Sequence, residues 1–119
     1  MPQPASARVL AKIRRLWPDA DPTEVLDILA GYGADGQAWG RERVYLAILK
    51  LSEGQIQRLP SLVAMANTDY RDVVAYAECP EEMHLGAAVT RELSVAARRA
   101  VRQRDRRQYE RWLRSLGSG

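Results

Sequence analysis

The segment Val44-Tyr45-Leu46-Ala47-Ile48-Leu49-Lys50-Leu51 constrains this chain more than any other. Seven of its eight residues are apolar or aromatic. At helical spacing Val44, Ala47, Ile48 and Leu51 share one face, Tyr45 and Leu49 flank it, and Leu46 lies on the back. A helix apolar on so many sides must be surrounded by other elements. By periodicity alone, a short apolar run also fits a buried strand. Arg41-Glu42-Arg43 leads into it without a break, however, and strand-like partners are scarce elsewhere. The expected fold is all-α: a compact irregular or orthogonal bundle of five to six helices around residues 41–51, with a long arginine-rich C-terminal helix or arm over residues 90–116.

Start and stop signals divide the chain. Ser6 is placed to cap a first helix that Pro18 ends. Asp21-Pro22-Thr23-Glu24 combines an N-cap, a first-turn proline and an acid three residues after the cap. Glycines at 31, 33, 36 and 40 mark the longest loop, in which Trp39 is expected to anchor back on the core. Ser52 with Gln55 reads as a capping box for a fourth helix. Pro60 interrupts that pattern, so either a kink or a fresh helix at Pro60 or Ser61 is expected. Asn67 or Thr68 is the expected cap of the next helix, which stops before Cys79-Pro80. Pro80-Glu81-Glu82 begins another, with Gly86 as an interruption.

The 119 residues fit one domain, and 46% apolar residues can fill one core. The net charge is +3, but it is unevenly placed. Residues 91–116 hold nine arginines against Glu92, Asp105 and Glu110, which is +6 and leaves −3 for the remainder. Such asymmetry is what a chain with a nucleic-acid, membrane or acidic-partner surface would show. The single cysteine, Cys79, excludes an intramolecular disulfide and a cysteine-based zinc site within one chain. No apolar run approaches a membrane span, and no signal-peptide core is visible. Arg8, Lys12, Arg14 and Arg15 resemble a transit peptide but fit a first helix with Val9, Ile13, Leu16 and Trp17 inward. A cytoplasmic location is expected.

Four constellations suggest chemistry. Gly31-Tyr32-Gly33-Ala34-Asp35-Gly36 matches the G-x-G-x-x-G of dinucleotide sites, but it follows a capped helix where that motif needs a strand. Glu81-x-x-His84 has the spacing of di-iron helical proteins, yet the chain has a single histidine. Cys79 at a helix start could be a reactive thiol, with His84 as the only available base. Asp69 with Asp72, or Glu78 with Glu81 and Glu82, could pair as carboxylates; helix-start acids explain them equally well. None assembles nucleophile, base and oxyanion donor, so no enzyme, metal or cofactor is expected.

The C-terminal helix carries the strongest signal. With Arg98 as zero and about 100° per residue, Leu93, Ala97, Ala100 and Val101 fall near 200–300°, opposite Arg98, Arg99, Arg102 and Arg106. Farther on, Tyr109, Trp112, Leu113 and Leu116 fall near 320–60°, opposite Arg104, Arg107, Arg111 and Arg114. The apolar stripe has rotated by about a third of a turn. Either the helix breaks near residues 102–106, or its second half packs on another surface of this chain or of a second copy.

Three stretches resemble a set of small, uncharacterised bacterial helical proteins. They are Glu42-Arg43-Val44 through Leu51, Asp69-Tyr70-Arg71-Asp72-Val73 through Glu78 and Pro80, and Asp105-Arg106 through Gln108-Tyr109 to Trp112-Leu113. Together they cover about a third of the chain, and Pro60 and Cys79 depart from the pattern. The resemblance implies a bacterial source and a helical fold, and brings no activity. The functional expectation is a non-enzymatic interaction or self-association module whose contact surface is Tyr109, Trp112, Leu113 and Leu116. The alternative is a nucleic-acid binder that grips phosphate through Arg98, Arg99, Arg102, Arg104, Arg106, Arg107, Arg111 and Arg114.

Overall fold

A computed structural model describes residues 7–33 and 40–115. Among them the architecture is all-α: α1 (Ala7–Leu16), α2 (Pro22–Leu29), α3 (Arg41–Leu51), a 3₁₀ turn (Ile56–Arg58), α4 (Leu59–Glu78), α5 (Pro80–Leu85), α6 (Ala87–Glu92) and α7 (Val95–Arg114). The expected α3 has its expected bounds. Val44 through Leu49 are all buried, including Leu46 on the back face. α3 packs chiefly on α4, with α1 on another side. Val9 and Ile13 of α1, Val25 and Leu29 of α2, and Leu59, Val63, Val73 and Ala77 of α4 complete the core. Each fully buried aliphatic side chain contributes roughly 1.5–3 kcal/mol, so the molecule is held together mainly at α3.

The local signals explain most element ends. Asp21 accepts the Thr23 N–H at 2.9 Å at the start of α2. Pro60 lies in the first turn of α4, where its missing N–H is harmless. Ser52 departs from its expected role. It is buried, and its hydroxyl donates to the Leu49 carbonyl at 2.6 Å, so it closes α3. The chain then turns through Glu53 and Gly54, both at positive φ.

α4 is two helical segments joined at Asp69, whose φ of −157° and ψ of 97° are extended. Asp69 caps the second segment by accepting the Arg71 N–H at 3.0 Å. The expected cap was Asn67 or Thr68, but both have other work. Asn67 accepts from the Gly33 N–H at 2.9 Å and donates to the Gly31 carbonyl at 3.0 Å. Thr68 donates to the carbonyl of Ala64.

The C-terminal helix begins at Val95, five residues later than expected. Leu93 is extended, and Ser94 caps by accepting the Ala97 N–H at 3.1 Å. From there α7 runs unbroken to Arg114. Ser6, Trp39 and Leu116 lie outside the described residues.

Candidate functional site

α7 has an inner and an outer side. Val101 and Asp105 are buried on the inner side, with Gln108, Tyr109, Trp112 and Leu113 partly buried along it. Asp105 accepts the backbone N–H groups of Glu81 at 2.9 Å and Glu82 at 3.1 Å. Gln108 donates to the carbonyls of Ala77 and Glu78, each at 3.3 Å. Arg104 grips Glu81 through two bonds of 2.8 and 2.5 Å, which hold the Glu81 carboxyl below its usual range. α4 ends and α5 begins at this junction, so orphan carbonyls and orphan N–H groups lie side by side. One turn of α7 satisfies both kinds.

The far end of α7 is fastened by α1. The Lys12 ammonium donates to the Trp112 carbonyl at 2.7 Å and to Ser115 Oγ at 2.6 Å, and lies 4.0 Å from the Trp112 ring centroid. A cation is favourable at the negative end of a helix. Lys12 is itself buried, and that burial, with Arg15 nearby, lowers its pKa. Tyr109 stacks on Trp112 with centroids 5.8 Å apart and planes 15° from parallel. Burial, followed by the negative charge of Glu78, pushes the Tyr109 phenol up to about 12.

The rotated apolar stripe therefore docks on its own chain. Tyr109, Trp112 and Leu113 pack against the central core, while the helix also lies against α5. α7 crosses two neighbouring surfaces and needs no break. These three residues, expected as an intermolecular contact, retain only part of their surface for one.

The eight arginines of α7 divide by partner. Arg98 donates to the carbonyls of Thr90 and Arg91 at 3.0 and 3.2 Å. Arg104 is held by Glu81. Glu78, another available acid, is taken by Arg43 of α3 through two 2.7 Å bonds. Arg99, Arg102, Arg106, Arg107, Arg111 and Arg114 are exposed, and among the described residues none makes an ion pair. Glu110 is the one exposed acid on this helix. Arg102 and Arg106 border a hollow of about 480 Å³ beside Tyr109 and Leu113. Arg107 and Arg111 border another of about 440 Å³ beside Pro80 and Gln108.

The other constellations resolve into structure. Gly31 and Gly33 follow helix α2 and are tied to Asn67; Gly36 lies outside the described residues. Glu81 pairs with Arg104, and His84 is exposed. Asp69 is a helix cap, and Asp72 is exposed. Cys79, Glu82 and Asp105 bring ligand atoms within 4.8 Å of one another. Both Asp105 oxygens, however, already accept backbone N–H groups. Burial, then the charge of Asp105, raises the Cys79 pKa, which disfavours the thiolate.

Asp105, Gln108 and Lys12 were not expected to matter. Asp105 falls at about 340° on the helical projection, between Trp112 at about 320° and Tyr109 at about 20° on the inward stripe. An acid on an apolar stripe was the available signal for a buried cap. Comparison with protein-family models, curated proteins and solved structures finds no match for this chain.

Proposed function

We propose that the outer face of α7 binds the phosphate backbone of a nucleic acid. The observation that carries this reading is the set of six exposed, unpaired arginines on one helix with Glu110 as the only exposed acid among them. A solvated helix face ordinarily mixes the two signs. Guanidinium groups match phosphate oxygens in a fork geometry, and crowding them on one face favours a polyanion.

The test is fluorescence anisotropy of the purified chain with labelled DNA and RNA at 50 and 200 mM salt. About four phosphate contacts predict a loss of roughly 10²-fold in affinity between those conditions. Replacing Arg107, Arg111 and Arg114 by Ala should weaken binding at the lower salt. Absence of binding at 50 mM salt would sink the reading.

A second reading is protein contact, including self-association. It is favoured by exposed Tyr76, Val89 and Val95, and by a hollow of about 590 Å³ lined by Ala75, Cys79, Met83 and Ala87. Trp112 and Leu113 would add the apolar surface they still expose. Apolar docking is insensitive to salt where phosphate binding is steeply sensitive. Light scattering across protein concentration separates a second copy from a different partner. Among the described residues no helix is long and apolar enough to cross a membrane.

A further inference from the structure

We infer that α7 takes a B-form DNA duplex and not a single strand, with each of two arginine rows on one phosphate chain. This rests on the phosphate reading above and narrows it.

Proteins that hold single strands combine a basic groove with aromatic side chains on which unpaired bases stack. α7 has two aromatic residues, and neither is free for that. Tyr109 and Trp112 stack on each other and pack on the core, and the Lys12 ammonium occupies the Trp112 ring. Tyr76, the large exposed aromatic among the described residues, is on α4. Among the described residues the arginine field therefore has no stacking platform. A duplex needs none, because its bases stack on one another.

The arginines also form two rows. At about 100° per residue Arg99, Arg102 and Arg106 centre near 70°, while Arg107, Arg111 and Arg114 centre near 190°. The rows stand about a third of a turn apart, on either side of an outward line through Gln103 and Glu110. The rows occupy successive stretches of the axis, their centres about 12 Å apart, so extended arginine side chains diverging at that angle reach toward opposite walls of a groove about 12 Å wide, the width of the B-form major groove. Each row runs about 10 Å along the axis, or roughly three base steps. The major groove of A-form RNA is too narrow to admit a helix in this way. Ser94 caps the start of α7, and Lys12 fastens its end, so the rows are held on a rigid rod.

The experiment uses the full chain and three probes of one arbitrary 20-base sequence: a DNA duplex, the same DNA as a single strand, and an RNA duplex. Affinities are read by anisotropy at 50 mM salt, and circular dichroism confirms that each variant keeps its helix content. The expected result is DNA duplex binding at least tenfold tighter than either other probe. Replacing Arg99, Arg102 and Arg106 by Ala, or Arg107, Arg111 and Arg114 by Ala, should each lower duplex affinity by at least tenfold. Equal or tighter binding of the single strand or the RNA duplex overturns this inference while leaving phosphate binding intact. An effect confined to one row also overturns it. Failure to bind any of the three probes overturns the phosphate reading itself.

Discussion

Asp105 does for α5 what a residue just ahead of α5 would ordinarily do. Its carboxylate reaches from another helix to take two N–H groups that begin α5, and it is 2% exposed while doing so. Asp105→Ala would leave both part-buried donors short of a partner. The expected cost is about 2–4 kcal/mol, read as a lower urea midpoint with an unchanged slope. Tyr109 makes a second residue-level statement. Its phenol ionises near 10 in an unfolded chain and at about 12 in the folded one. Below pH 10 it is neutral in both states, and the shift has no effect. Between pH 10 and 12 the unfolded chain gives up the proton first, so the folded state holds more protons and stability falls as pH rises. Full expression of that shift corresponds to roughly 2–3 kcal/mol. Tyr109→Phe should flatten the fall between pH 10 and 12 relative to wild type in denaturant titrations. An equally steep fall in the variant would assign it to other groups.

At the scale of elements, α3 was legible because apolar residues on nearly every side leave a helix nowhere to go but the middle. α2 was legible because its cap lies in its own sequence. Ser52 and Asn67 are both good cap residues by type, but Ser52 donates back to Leu49 in the helix it ends, and Asn67 spends its polar atoms on the turn after α2. Local spacing cannot register a partner such as Gly33, 34 residues away. Asn67→Ala should therefore loosen the turn after α2 more than α4 itself. The expected cost is about 1–2 kcal/mol, with faster amide exchange at Gly33 than along residues 70–78. The arginine field was visible in the sequence as a charge imbalance. Which arginines stay free was not, because that depends on Glu78 being taken by Arg43 and Glu81 by Arg104.

For the whole molecule, α7 is neither a free arm nor a plain bundle helix. Its inner side completes the core and ties the α4–α5 junction, and its outer side carries charge that the fold leaves unbalanced. Tyr109 and Trp112 pack against the core, and the six unpaired arginines are exposed. The most direct measurement is a ¹⁵N–¹H correlation spectrum of the full chain titrated with duplex DNA at 50 mM salt. Shifts at the backbone amides and side-chain Nε–H groups of Arg99, Arg102, Arg106, Arg107, Arg111 and Arg114, with the Trp112 indole N–H unmoved, are the expected result. Movement of the Trp112 indole with the arginines unchanged, or no shifts at all, would contradict it.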